Sequence, residues 1–332
     1  MNYAEVAVRE PLCSAAPLFD VPEGFVKSVE KNAIDVATGC GEALSARLDG
    51  GEDGKVVFRV DGRPENPLRA DYRFEAAKHT ASRVEIDAAP HSEATVIVFY
   101  EADENADGSA AVQTVIKTGE GARIHLVQVV KVGRGFTFLN DVGIRQDAAA
   151  RVEVTQLYLG GGSVYGGLRS DLAGYRSDFQ NRIGYLLGQD ETLDLNVISS
   201  HGGKKSNCDI MVRGVLSDNA QKVFRGTIDF LNGSSGSTGT EKEEVLLMNE
   251  AVVNKTIPLI LCAEEDVEGS HGASIGRLDE NAVFYMMTRG MSPEQIDQLM
   301  AKAKIWSVMN HIGDVAAKDR IWKMLGGEAH VG

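Results

Sequence analysis

A mainly β architecture with a helical C-terminal segment is what this sequence predicts. Three observations predict it: short apolar alternations from about Arg83 to Gly276, recurring turn-and-strand units, and helix caps that begin at Asp279. The alternations Val84/Ile86, Val96/Val98, Val112/Val115, Ile124/Leu126, Val152/Val154, Leu193/Leu195, Ile228/Phe230 and Ile257/Leu259 read as short strands bounded by polar turns. The units GEGARIHL, QDAAARVEV, GQDETLDL, SDNAQKVF and MNEAVVNKT each join an acidic or glycine turn to a strand. They recur at intervals of roughly 28 to 42 residues, the trace a solenoid leaves. A right-handed parallel β-helix is favoured, and a β-sandwich is also compatible with the strands taken alone.

In chain order, residues 1–75 form a mixed N-terminal region, 76–278 the β core and 279–332 the helical region. The N-terminal region carries a helix-like stretch around Phe25 to Ala37, and residues 49–54, DGGEDG, read as an exposed loop. At the other end, Asp279 caps a helix bearing Val283, Phe284, Met286 and Met287 that stops at Gly290. Ser292-Pro293-Glu294-Gln295 is a capping box with proline at the first helical position. It opens a helix striped with Ile296, Leu299, Met300, Ala303 and Trp306. A last helix runs from about Asp314 to Leu325 and ends at Gly326-Gly327.

The 332 residues carry 34 basic and 48 acidic side chains, a formal charge of −14, with 43% hydrophobic residues. That composition supports a folded core and excludes a basic nucleic-acid or anionic-membrane footprint. With neither a signal-like apolar run nor a stretch of ~20 apolar residues, a cytoplasmic location is expected. Cysteines 13, 40, 208 and 262 form no CxxC and are read as free thiols, the first three as small buried hydrophobes.

Chemistry concentrates between Thr256 and Gly290. Cys262 ends a strand, the acidic run Glu264-Glu265-Asp266-Val267-Glu268 follows, and His271 stands between Ser270 and Gly272. Iron accepts thiolate, imidazole and carboxylate together, so Cys262 and His271 are candidate metal ligands, and Glu264, Glu265, Asp266 and Glu268 candidate carboxylate partners. The carboxylates also read as a solvated turn or a charged sheet edge. Of the scattered residues, His201 and Cys208, seven apart, form the next best pair. Gly202-Gly203-Lys204-Lys205-Ser206 lacks P-loop spacing, so no ATP hydrolysis is expected of this chain, and Gly160-Gly161-Gly162 reads as a turned loop.

Ile257-Pro258, Ser270-His271-Gly272-Ala273-Ser274-Ile275-Gly276-Arg277-Leu278-Asp279, Phe284-Tyr285 and Arg289-Gly290 together resemble the core of the SufB/SufD family of iron–sulfur cluster assembly scaffolds. Val223-Phe224-Arg225-Gly226 and Val245-Leu246-Leu247 extend that resemblance upstream. It implies the β-helix and a scaffold rather than an enzyme, with a transient iron–sulfur cluster as cargo, and does not decide on flavin. Implied partners are a SufC-like ATPase, a sulfur donor, and either a second copy (homodimer) or a SufB/SufD paralogue. The resemblance places Cys262, nine residues before His271, where SufB members carry a core cysteine. Gly269 stands where SufD members have a cysteine, and Gly272 where SufB members have a glutamate. The combination implies one subunit serving both roles, and the C-terminal helices, through Ile296, Met300 and Trp306, as the ATPase dock. The competing readings are a carbohydrate-active or carbohydrate-binding β-helix, disfavoured by 6% aromatic residues, and an ABC-ATPase adaptor without a cluster.

Overall fold

Strands of mostly nine to twelve residues separated by turns of three to seven residues stack coil upon coil into a two-sheet parallel β-solenoid. The computed structural model describes residues 13–14, 17–30, 34–41 and 55–327; the expectations for residues 49–54 and for the Cys13 side chain lie outside them. The first strands are β1 (Cys13–Ser14), β2 (Leu18–Asp20) and β3 (Phe25–Glu30). Eight coils follow, each of two strands: β4 (Lys55–Val60) with β5 (Leu68–Phe74), β6 (Lys78–Ala88) with β7 (Glu93–Ala102), β8 (Asp107–Thr118) with β9 (Arg123–Lys131), and β10 (Gly135–Gln146) with β11 (Arg151–Leu159). The last four are β12 (Ser163–Leu172) with β13 (Asp178–Leu187), β14 (Thr192–His201) with β15 (Asn207–Leu216), β16 (Gln221–Phe230) with β17 (Ser237–Leu247), and β18 (Val253–Cys262) with β19 (Val267–Gly276).

Even-numbered strands from β4 to β18 build sheet A in parallel order, odd-numbered strands from β5 to β19 build sheet B, and antiparallel β3 and β2 close the first coil. Partners across coils lie 26 to 32 residues apart, as in Thr137↔Ser163 and Gln221↔Val253. This corrects the wider spacing read from the sequence: each coil has two turns, and the recurring units were drawn partly from one sheet edge and partly from the other. Turn stacks upon turn. Ala149 N–H donates to Tyr175 O, Arg176 N–H to Lys204 O and Lys205 N–H to Ser235 O, and all three donors have φ between +53° and +58°. These coil-to-coil hydrogen bonds offset the cost of a left-handed L residue, about 1–2 kcal/mol.

The main core lies between the sheets, where Tyr72, Phe74, Tyr100, Phe136 and Phe138 pack ring on ring. A second core covers the outside of sheet B. Ile97, Phe99, Val127, Val129, Leu157 and Leu159 face outward there and receive Ile305, Val308, Met309, Ala317 and Ile321 from the C-terminal helices and Ile312 from the link between two of them. Those helices are α1 (Glu280–Thr288), α2 (Pro293–Met309) and α3 (Val315–Met324), with the predicted caps at Asp279 and Ser292 and a further cap at Asp314. Among the described residues no helix is long and apolar enough to cross a membrane.

Among the described residues the helix expected at Phe25 to Ala37 is not formed. Phe25–Glu30 pairs with β4 instead, and from Ile34 the chain runs as a strap over the outer face of sheet A. The strap is pinned by side chains of the strands it crosses: Ile34 N–H donates to Glu85 (2.9 Å), Cys40 N–H to Asp141 (2.8 Å), and Asn196 donates to Gly39 O (3.0 Å). Gly167 lies directly beneath Cys40, where any Cβ would collide. Tertiary pairing thus overrode a weak local helical pattern.

Candidate functional site

The last coil is unlike the seven before it. With no further coil stacked on it, the strand from Thr256 to Cys262 is open: Ile257, Leu259 and Leu261 are exposed on its outer face, and no residue of β19 is buried. Cys262 is exposed at the end of β18, in register with inward-facing Phe230. His271 pairs in register with inward-facing Glu241. Between them the chain reverses through a corner, so the eight intervening residues carry the two apart. Gly269 marks the layer opposite Ile260, two positions before Cys262, since a Cβ there would sit 3.1 Å from Ile260 Cγ2 and 3.0 Å from Phe230 Cε2. His271 lies opposite Pro258, the position below which is Gly226 facing Glu241. Four strand positions separate Cys262 from His271's layer, ~13 Å along the strand. Within one chain the two are neighbours on the same open end without facing each other.

The acidic run divides. Glu264 accepts from Gly233 N–H (3.0 Å) and Glu265 N–H (3.1 Å), and Asp266 accepts from Ser235 Oγ (2.7 Å), so both are engaged in the corner. Glu265 is exposed, and Glu268, in register with Thr238, points out of the solenoid. Among the described residues no three His, Cys, Asp or Glu side chains gather as a metal site.

One coil below His271 lies a buried charged cluster that the sequence reading missed. Lys222 pairs with Glu243 and donates to Thr256 Oγ1 (3.1 Å), which itself donates to Glu243 (2.6 Å). Glu241, 3% exposed, lies against Gly226, where any Cβ would overlap its carboxylate. Burial, then the neighbouring Glu243, push the Glu241 carboxyl up to about 7. The same burial lowers Lys222 from the usual ammonium range. A signal for this cluster existed: in TGTEKEEV the period-two pattern puts Glu241 and Glu243 on the face of Val245, and in QKVF it puts Lys222 with Phe224.

His201 and Cys208 are core residues. His201 is buried against the Phe230 ring (4.7 Å between centroids), with Nδ1 2.7 Å from Ser206 Oγ and Nε2 without a partner. Burial lowers it to about 4, and burial raises the Cys208 thiol to about 12. Cys40, half-buried beside Asp141, is likewise raised well above the usual thiol range by burial. The Gly160–Gly162 loop is tightly turned, with positive φ at all three residues and Gly161 N–H bound to Glu191 (2.8 Å).

Of the residues expected on the helical dock, Ile296 is 1% exposed and so is not presented to a partner. Met300 is half-buried, and Trp306 is 38% exposed and packs edge-on against Trp322. α1 contributes no buried side chain and presents Phe284, Tyr285 and Met287.

The comparisons agree with this architecture. Residues 72–304 match the family model described as "SUF system FeS cluster assembly, SufBD core domain". The chain is 25% identical over 252 residues to the iron-sulfur cluster assembly protein SufD of Bacillus subtilis, covering 75% of this chain and 57% of that one. It is 23% identical over 247 residues to SufD of Escherichia coli, covering 74% and 58%. A SufBD family protein of Pyrococcus horikoshii is 29% identical over 133 residues, 39% of this chain and 29% of that one. The chain thus spans a little over half the length of the two SufD relatives. A match over most of the solenoid and into α2 places it in one family: the chain belongs to the SufBD family of iron–sulfur cluster assembly proteins.

Proposed function

We propose that the chain is a scaffold on which a transient iron–sulfur cluster is built between two copies joined at the open ends of their solenoids. The observation that carries this reading is the last coil, where exposed Cys262 and His271 share an end with the exposed apolar residues Ile257, Leu259, Leu261 and Ile275. Strand edges left open this way recruit pairing, and a two-fold contact uses one surface twice. Such a contact doubles the ligand count, so a Cys262 from one copy can serve with a His271 from the other. The thiolate holds iron, or takes the outer sulfur of a donor's persulfide as the donor's own thiolate leaves, and the imidazole supplies a ligand or moves a proton. Sparse, mixed ligation suits a cargo that must leave again.

ATP hydrolysis is assigned to a SufC-like partner docked on the helical face, with Met300, Trp306 and the α1 residues Phe284, Tyr285 and Met287 as its footing. Hydrolysis-driven closure of two such subunits would bring the open ends together. A second SufB/SufD paralogue in place of the second copy is the alternative assembly.

The test is anaerobic loading with ferrous iron and sulfide, read by visible absorbance. Cys262→Ser and His271→Ala should each lose most of the loading, and mixed mutant chains should recover part of it if the ligands act across the seam. Full loading by Cys262→Ser, or a strictly monomeric protein at micromolar concentration by light scattering, overturns the reading. For the partner, Trp306→Ala should weaken capture of the ATPase; unchanged capture removes the helical face from the assignment.

A further inference from the structure

The carboxylates next to His271 in sequence are spent in the corner or directed outward, so the His271 site needs its acid from elsewhere. We infer that this acid is Glu241, and that Glu241 and His271 together form a two-residue chelate for a divalent cation at the mouth of the solenoid. The inference rests on the proposed role of His271 in handling iron.

Four observations carry it. Glu241 and His271 are register partners on adjacent parallel strands, and both face the interior. Neighbouring strands are ~4.8 Å apart, a separation that one metal ion bridges between a carboxylate and an imidazole. The Glu241 carboxylate is 3% exposed and accepts no hydrogen bond among the described residues, whereas buried carboxylates are ordinarily paired or metal-bound. Among the described residues the cation of this cluster is already engaged: Lys222 is held by Glu243 and Thr256, so an ionised Glu241 leaves the cluster with one unbalanced negative charge. Lastly, the space is built for it. Gly226 yields its side-chain volume to the Glu241 carboxylate, and one coil above, at the open end, stand their register partners Pro258 and the exposed His271.

Cobalt(II) added anaerobically to the full chain serves as the spectroscopic probe for ferrous ion. Glu241→Gln, nearly isosteric, should weaken cobalt binding at least ~10-fold and change the visible band, with an unchanged far-ultraviolet spectrum. Glu241→Asp, which keeps the charge, should retain a cobalt band and guards against a folding defect in the glutamine variant. Glu268→Gln should bind as the parent does. Cobalt binding by Glu241→Gln at the parent's affinity overturns the inference, as does loss of binding in Glu268→Gln instead. The two levels of the reading separate through His271→Ala: if it loses cobalt while Glu241→Gln does not, only the chelate falls; if neither does, the role of His271 falls as well.

Discussion

The middle coils and the last coil follow the same backbone plan with opposite contents. Between β8 and β13 inward side chains such as Phe136, Phe138, Val142, Val152, Val154 and Phe179 are at most 1% exposed, and the polar insertions bond mainly to one another, as in Gln128 with Tyr100, Asn140 and Gln156, leaving Asn140 Oδ1, Tyr158 Oη and Asn181 Oδ1 without partners. In the last two coils the inward positions mix apolar Phe224, Ile228, Phe230 and Val245 with Lys222, Glu241, Glu243, Thr256 and His271. A solenoid adds coils by repetition, so each interior is sealed by the next, and only the terminal coil can offer its inward side chains to something outside. Chemistry is therefore confined to one end by topology rather than by any special loop.

Four measurements sharpen or break this contrast. The largest effect is expected in the middle. Phe138→Ala removes a ring stacked on Phe74 and Tyr100 and should cost about 3–5 kcal/mol in urea unfolding, whereas Ile275→Ala on the open end should stay within ~0.5 kcal/mol. Equal losses would deny that the last coil is structurally open.

Next come two pH effects of opposite sign. His201 is held neutral, with a folded value of about 4 against 6.5, so the unfolded chain takes up the proton first. Its contribution is intact above pH 6.5 and lost as pH falls toward 4. Glu241 is raised from 4.5 to about 7, so the unfolded chain releases its proton first, and stability drops as pH rises from 4.5 to 7. Each is on the order of 3 kcal/mol at full extent. Melting curves across that window should show His201→Gln flattening the acid limb and Glu241→Gln flattening the neutral one; parallel curves for parent and variant refute the assignment.

A smaller effect, about 1–3 kcal/mol, is expected for Gly226→Ala, whose methyl would displace the Glu241 carboxylate. The loss should shrink in a Glu241→Ala background, and additivity of the two changes would show that they do not touch. Least of all, Leu259→Asp should leave unfolding within ~0.5 kcal/mol of the parent while abolishing self-association in sedimentation. A destabilised monomer would mean that Leu259 belongs to the core.

Much of this fold was readable because strands announce themselves by a period of two and helices by their caps: Val152/Val154, Leu193/Leu195, Asp279 and Ser292 all fall where the pattern put them. What local pattern cannot carry is distance across coils. His271 and Glu241 are one coil apart, so their pairing is invisible without the register, while Cys262 and His271, close in sequence, are parted by a corner. Ile296 lies on the expected apolar stripe of α2 yet turns inward, since a stripe does not say which surface it meets. The strap over Asp141 escaped for the same reason: its partners belong to strands about a hundred residues away.

The helical cover of sheet B sets the order in which a newly made chain can finish. Coils can stack as they leave the ribosome, but the outward apolar side chains of β7, β9 and β11 wait for α2 and α3. Asp314 reaches back 245 residues to Arg69, Arg320 to Asp71 and Glu101, and Lys131 to the carbonyl of Met324. At usual translation speeds of roughly 5–20 residues per second, that apolar face stands bare for about 12–50 s after its first strands are made. The final helices act as a late shutter, and in that interval the nascent chain exposes to chaperones a surface that the mature protein never shows.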